Sequence, residues 1–168
     1  MYRKGEMDMI AFRKSAFLCG LTIALLGFAW LSRASDAPSP VAAVHAADDS
    51  WVKAYNAGDL DAVVSLYDEH AAIYPPGAPP VRGGAAIRAF FVKDNAEFLR
   101  GGLSFGLGAK PDGGVAGNLG WSSGTYVVKD KSGRVVDTGW YFSVSRKVAG
   151  RWLYLRDAWN SDGPPPGR

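Results

Sequence analysis

Two periods of hydrophobic residues divide this chain. From residue 40 to 99 apolar positions recur three and four apart, and from residue 103 to 159 they alternate. Val44, Ala47, Trp51 and Tyr55 fall on one face of a helix that Ser39 caps and Pro40 opens. Asn56-Ala57-Gly58-Asp59 closes that helix and starts another, because Gly58 can take a positive φ and Asp59 can cap the next N-terminus. The second helix is expected over Leu60 to Asp68, with Val63, Val64, Leu66 and Tyr67 apolar. A short strand, Ala71 to Tyr74, then meets Pro75-Pro76-Gly77-Ala78-Pro79-Pro80, a run unsuited to helix or central strand. Arg82-Gly83-Gly84 leads into a third helix, Gly84 to Leu99, with Ile87, Phe90, Phe91 and Phe98 apolar. Gly101-Gly102 ends it.

The remainder reads as strands. Leu103 to Ala109 is one, followed by a turn at Lys110-Pro111-Asp112-Gly113-Gly114 and a long strand from Val115 to Lys129. Asp130-Lys131-Ser132-Gly133 is a hairpin loop into Val135 to Lys147, and Val148-Ala149-Gly150 turns that strand into Arg151 to Trp159. Side chains alternate along a strand, so Trp140 and Phe142 share a face with Val136, Thr138 and Val144. On the last strand Leu155, Asp157 and Trp159 share a face. The expected fold is α+β: a cone-shaped, curved antiparallel sheet packed against three N-terminal helices. An open cone is a natural small-molecule pocket. With the apolar faces turned inward, its lining is Trp140, Phe142, Leu155 and Trp159, with Trp121 from the long strand. Trp51, Phe90 and Phe91 join it from the helices, and Asn160 sits at the mouth. These aromatics could equally fill the cone as core.

Charge changes the picture at the N-terminus. The chain has 19 basic and 16 acidic residues, of which residues 1–34 hold 5 and 2, leaving 14 of each in the body. A neutral body without a basic stripe argues against nucleic acid as a partner. Residues 1–34 read as an export segment: Arg3, Lys4, Arg13 and Lys14, an uncharged run from Ser15 to Leu31, then Ser32-Arg33-Ala34 as a cleavage site. The expected location is periplasmic or extracellular; the alternative is a membrane anchor formed by residues 15–31. The folded domain is expected over residues 35–163 and a disordered tail over 164–168. The single cysteine, Cys19, lies in the leader, so the body has no disulfide.

The stretches NAGDLDAVVSLY and PPGAPPVRGGAAIRAFF resemble the nuclear transport factor 2-like superfamily, in its ketosteroid-isomerase-like and SnoaL-like branch. The resemblance covers roughly residues 40–162 and implies a cystatin-like α+β roll. In ketosteroid isomerases a general-base carboxylate works beside an oxyanion hole of a tyrosine and a protonated aspartic acid. Carried across, the tyrosine falls on Trp51, the base on Pro75 and the aspartic acid on Phe142. Trp51 can only donate an N–H, and Pro75 and Phe142 can do neither job, so steroid isomerisation by that route is not expected. The resemblance also implies a homodimer through the outer face of the sheet, where parity places Tyr126, Val128, Tyr141, Trp152 and Tyr154.

One ionisable group is left on the expected inner face, Asp157. Burial among aromatics would raise its pKa and suit it to acid–base work; pairing with Arg88 or Arg156 would make it structural. Tyr55, one turn after Trp51, is the expected pocket hydroxyl and, with Asp157, the candidate catalytic pair; its alternative is a core tyrosine on the helix face. His70 reads as the end of the second helix, and His45 has no visible partner. No metal-ligand spacing, dinucleotide fingerprint or nucleophile elbow occurs, so no cofactor or metal is expected. Three classes of function remain: a cofactor-independent acid–base enzyme on a small apolar cyclic ligand (isomerase, dehydratase or cyclase type), a non-catalytic binding protein, or an interaction module whose cone is filled by its own side chains.

Overall fold

The computed structural model describes residues 38–109 and 111–163; the expected leader 1–34 and tail 164–168 lie outside them. Helix α1 (Pro40–Ala57) starts at Ser39, whose Oγ accepts the Ala42 N–H at 3.1 Å, and stops at Gly58 with φ 72°. Asp59 caps α2 (Leu60–Ser65) through the Ala62 N–H at 3.0 Å. Helix α3 spans Gly84–Arg100.

The strands are β1 (Tyr67–Tyr74), β2 (Val81–Arg82), β3 (Ser104–Leu107), β4 (Asp112–Ala116), β5 (Leu119–Lys129), β6 (Val135–Val148) and β7 (Arg151–Ser161). They form one curved sheet in the order β2-β1-β7-β6-β5-β3, with β4 also paired to β5. The sheet is mixed, not wholly antiparallel: β1 runs parallel to β7. Such a pair needs a long crossover, and here the whole chain between residues 74 and 151 lies between the two strands.

Three element boundaries differ from the sequence expectation. The second helix ends at Ser65, and Tyr67, Asp68 and His70 belong to β1. The cause is tertiary: the Leu66 carbonyl accepts the Tyr154 N–H of β7 at 2.8 Å, drawing the chain into the sheet. Residues 112–114 are strand and not turn, and the long expected strand is two, β4 and β5, joined at Gly117-Asn118 with Gly117 at φ 63°.

The core joins α1 to β1, α3 and β7, with Ile73, Ile87, Phe91 and Val63 fully buried. Burying side chains of this size is worth roughly 1.5–3 kcal/mol each. Asn56 ties the end of α1 to β3: its amide donates to the Phe105 carbonyl and accepts the Phe105 N–H, both at 2.8 Å. Buried Asp68 pairs with the Arg146 guanidinium at 2.6 Å and accepts the His70 N–H. Burial alone would raise its pKa, but those two partners outweigh burial and hold the carboxyl below its ordinary value.

The facing of the sheet decides the site. On β6, Gly139, Tyr141, Ser143 and Ser145 are buried, whereas Trp140 and Phe142 are 47% and 42% exposed. On β5, Gly120, Ser122, Tyr126 and Val128 are buried. The inner face is therefore the small and polar one, and the apolar face of these strands is the outside. Across the β5–β6 ladder each tyrosine lies opposite a glycine, Tyr126 opposite Gly139 and Tyr141 opposite Gly124. A Cβ on Gly139 would sit 2.5 Å from the Tyr126 ring, and one on Gly124 2.9 Å from that of Tyr141. The glycines make the room in which the two rings lie flat.

Candidate functional site

Helix α1 presents Asp48, Trp51, Val52 and Tyr55 toward the sheet, a spacing that keeps them on one face. Between this face, α3 and the inner sides of β5, β6 and β7 lies a cavity of about 240 Å³. Trp51 stacks on Tyr55 with ring centroids 4.6 Å apart, and the edges of Phe91 and Phe105 meet Trp51 at 5.9 and 5.6 Å.

Four carboxylates line the cavity, each held by a tyrosine hydroxyl. Tyr67 donates to Asp157 Oδ2 at 2.6 Å and accepts the Trp51 indole N–H at 3.0 Å. Tyr154 donates to Asp48 Oδ1 at 2.6 Å, with Ser122 Oγ at 3.2 Å and the Tyr141 hydroxyl 3.5 Å from Oδ2. Tyr55 donates to Asp94 at 2.5 Å, where Asp94 stands exposed at the rim. Tyr126 and Ser161 donate to Asp137 at 3.2 and 2.5 Å.

Burial pushes the Asp157 carboxyl up to about 6, the Tyr67 hydrogen bond pulling it down and the Asp48 charge adding to the rise. Burial raises Asp48 as well, against the hydrogen bonds from Tyr154 and Ser122. Burial and the adjacent carboxylates lift all five tyrosines above the ordinary phenol value, so they serve as neutral donors. Asp157 Oδ1 has no hydrogen bond among the described residues. A carboxyl that titrates near neutrality, lining a cavity with one oxygen anchored and one free of hydrogen bonds, can take or give a proton. Among the described residues no group of three His, Cys, Asp or Glu is placed to hold a metal ion.

The SnoaL-like domain model matches residues 49–154. This chain belongs to the SnoaL-like domain family. Solved structures similar to it include an NTF2-like protein with a cystatin-like fold from Novosphingobium aromaticivorans (TM-score 0.65, 20% identity, 73% of this chain and 82% of that one). A ketosteroid isomerase-like protein from Erwinia carotovora atroseptica has TM-score 0.59 and 17% identity over 76% of this chain and 100% of that one. A proposed dehydratase of the NTF2-like family from Streptomyces avermitilis has TM-score 0.62 and 17% identity over 74% and 96%. At such identities the likeness carries the fold and leaves activity to be argued from the site. No curated protein matches the sequence.

In this SnoaL-like domain the cavity brings together Trp51, Tyr55, Phe91, Asp157 and Trp159 of the residues singled out from sequence. Phe90 packs behind it, against Phe91 and Trp159. Trp121, Trp140 and Phe142 do not line it. They belong to the outer face, where Trp121 stacks on Phe142 at 6.2 Å. Phe142 thus stands on the wrong side of the sheet for an oxyanion role, Pro75 is buried at the end of β1, and the Trp51 N–H is spent on Tyr67.

Leu155 also departs from its expected place, because β7 bulges there: Ser145 pairs with Tyr154, but Val144 pairs with Arg156. The extra residue resets parity, so Tyr154 and Asp157 face the same side. Asn160 is exposed and does not reach the cavity. The residues expected on the outside, Tyr126, Val128, Tyr141, Trp152 and Tyr154, are buried. Neither arginine expected beside Asp157 is there. Arg88 pairs with Asp61 at 2.6 Å, and Arg156 donates to the carbonyls of His70 and Leu155. His70 lies exposed on β1 beside Glu69, and His45 Nδ1 is 3.6 Å from Asp48.

Sequence reasoning overlooked Asp48 and Tyr67. Asp48 had a signal: it falls four residues after Val44, on the apolar stripe of α1 where a carboxylate needs a reason.

Proposed function

We propose that this chain is an exported small-molecule-binding protein whose pocket does cofactor-independent acid–base chemistry on a ring-containing substrate, of isomerase, dehydratase or cyclase type. The observation that carries it is Asp157: it lines the cavity with one oxygen free of hydrogen bonds, its other oxygen is fixed by Tyr67, and burial brings it to about 6. In that reading Asp157 takes a proton from one substrate carbon or heteroatom and returns it to another, while Tyr67 holds the carboxyl in place and Trp51 holds Tyr67. The open cavity supports a pocket over a cone filled by its own side chains. The absence of an arginine partner at Asp157 among the described residues favours a working carboxyl over a structural ion pair. Carboxyl-carbon NMR titration, with and without a panel of apolar cyclic ligands, tests the proposal. The expected Asp157 value is about 6 and moves when the pocket is occupied. A value at or below the ordinary ~3.9 that ignores every ligand would exclude catalysis by this residue.

The export part of the proposal rests on the leader-like residues 1–34 and is tested by the N-terminal sequence of the secreted protein. We also propose that two copies pair through the outer face of the sheet. The support is the apolar surface itself, with Trp140, Phe142, Leu119 and Val136 each more than two-fifths exposed. Replacing Trp140 and Phe142 together by lysine is expected to convert a dimer to a monomer in sedimentation velocity, with the Asp157 titration unchanged. A wild-type protein that sediments as a monomer at tens of micromolar (roughly the range in which a ~1 μM dimer would be formed) would refute the dimer.

A further inference from the structure

Building on the pocket reading above, on which it rests, we infer that the occupant of this cavity carries a protonated amine beside its ring. The first argument is a count of donors. Tyr55, Tyr67, Tyr126 and Tyr154 each spend their only hydroxyl proton on a carboxylate, and Tyr141 aims its own at Asp48. The Trp51 N–H goes to Tyr67, and Ser122 and Ser143 share a 2.8 Å bond beside Asp48. The Trp159 indole and the loosely held Tyr141 hydroxyl aside, the polar wall among the described residues presents acceptors only. A ligand carbonyl, carboxylate or phosphate would find almost nothing to bind. An ammonium brings three donors and needs acceptors. An ionised carboxylate offers about four acceptor positions, and Asp157 has one of its own filled.

The second argument is charge. Asp48, Asp94, Asp137 and Asp157 line the cavity, and no lysine, arginine or histidine does so among the described residues. Apart from His45, 3.6 Å from Asp48, these carboxylates have no basic side chain paired with them among the described residues, and they oppose one another's ionisation, as Asp48 does at Asp157. The tyrosines nevertheless point their hydroxyls so as to favour the ionised forms. A ligand cation would supply the missing charge.

The third argument is the rest of the wall. Trp51, Tyr55, Phe91 and Phe105 line the cavity with aromatic surface, against which a ligand ring can pack and a cation can sit. The volume of about 240 Å³ suits one small ring with a short amine arm. The site is thus the aromatic cavity; the acidic lining decides which charge enters it.

Binding should depend on pH. Asp157 faces Tyr67 from β1 and Asp48 from α1, and its charge is also felt at Tyr154 on β7 and Tyr141 on β6. Asp48 faces His45 on its own helix, Tyr154 on β7, and Tyr141 and Ser122 on β6 and β5. An entering cation lowers both carboxyl pKa values, so its affinity rises as pH climbs through about 6 and a proton is released on binding.

Three probes with one skeleton test the inference: 2-phenylethylamine (protonated), 2-phenylethanol (neutral) and phenylacetate (anionic). Binding to the full-length protein is followed by the indole ¹H–¹⁵N resonances of Trp51 and Trp159. At about pH 7.5 the amine is expected to bind at least ~10-fold more tightly than the alcohol, with phenylacetate weakest. That preference should fall several-fold at about pH 4.5, where Asp157 is protonated. It should fall likewise at pH 7.5 in Asp157→Asn, a neutral isostere. If the alcohol or phenylacetate binds as tightly as the amine, the cation inference fails and the pocket reading stands. If none of the three moves the Trp51 or Trp159 resonances at millimolar concentration, or only exterior tryptophans respond, both fail together.

Discussion

Asp157→Asn is expected to make the protein more stable at pH 8 while removing its proton-transfer chemistry. The sign follows from the direction of the shift. Burial first, with the Asp48 charge adding to it, raises the folded carboxyl to about 6 in spite of the Tyr67 hydrogen bond. In the unfolded chain the same group titrates near ~3.9. Below about pH 4 both states hold the proton and the residue costs nothing. Between about 4 and 6 the unfolded chain ionises first, so stability falls as pH rises, and the penalty from this residue is complete above the folded value. A shift of about two units corresponds to roughly 3 kcal/mol at 1.36 kcal/mol per unit. Because the side chain opens on the cavity, solvent there trims this, and about 1–3 kcal/mol is the expected gain. The asparagine carbonyl can still accept the Tyr67 hydroxyl, so the geometry is kept. Urea midpoints at pH 4 and pH 8 measure the effect: the two proteins should coincide at the lower pH and separate at the higher. Equal midpoints at pH 8 would mean that Asp157 is not desolvated, and the acid–base proposal would lose its main support.

The origin of that carboxyl shows what the sequence could and could not convey. Caps and turns are local chemistry, and Ser39-Pro40, Gly58-Asp59 and Gly83-Gly84 mark helix ends in the structure as they do in the sequence. Parity with both Leu155 and Trp159 places Asp157 inside, and it holds for Trp159, which lies on the same side of the β7 bulge, while Leu155 is the bulged residue. Tyr154, on the other side of that bulge, was sent to the wrong face for the same reason. A single unpaired residue at Leu155 leaves no mark in hydrophobicity. On β5 and β6 the error came from a sound rule in an unusual setting. Apolar faces normally turn inward, but here the inner face bears Gly120, Ser122, Gly124, Gly139, Ser143 and Ser145, which let α1 and the tyrosine rings approach the sheet. Trp140 and Phe142 are left outside. Tyr67 was hidden differently: Val63, Leu66 and Tyr67 keep a helical period, and only the bond from Tyr154 to the Leu66 carbonyl, contributed by a strand 88 residues later, ends the helix before it.

Tyr67→Phe is the second large effect, because one hydroxyl serves two partners. It accepts the Trp51 N–H at 3.0 Å and donates to Asp157 at 2.6 Å. Phenylalanine keeps the ring, whose contacts with Phe91 at 5.7 Å and Tyr154 at 5.2 Å do not involve oxygen. Any change therefore reports the hydroxyl. Its loss leaves an indole donor and a buried carboxylate each short of a partner, at about 1–3 kcal/mol apiece, so stability should fall by roughly 2–6 kcal/mol at pH 8. The hydrogen bond is the term that lowers Asp157, and without it the carboxyl should titrate above 6, which carboxyl-carbon NMR reads directly. The double variant separates the two partners. Placed on Asp157→Asn, the same Tyr67→Phe change still orphans the Trp51 indole but removes no charge-assisted bond, so it should cost less, by a coupling of about 1–2 kcal/mol between the two residues. If Tyr67→Phe costs the same in both backgrounds, the hydroxyl and the carboxylate act independently. The Trp51–Tyr67–Asp157 chain would then be a packing arrangement that neither sets the proton affinity of Asp157 nor fixes the orientation of its carboxyl.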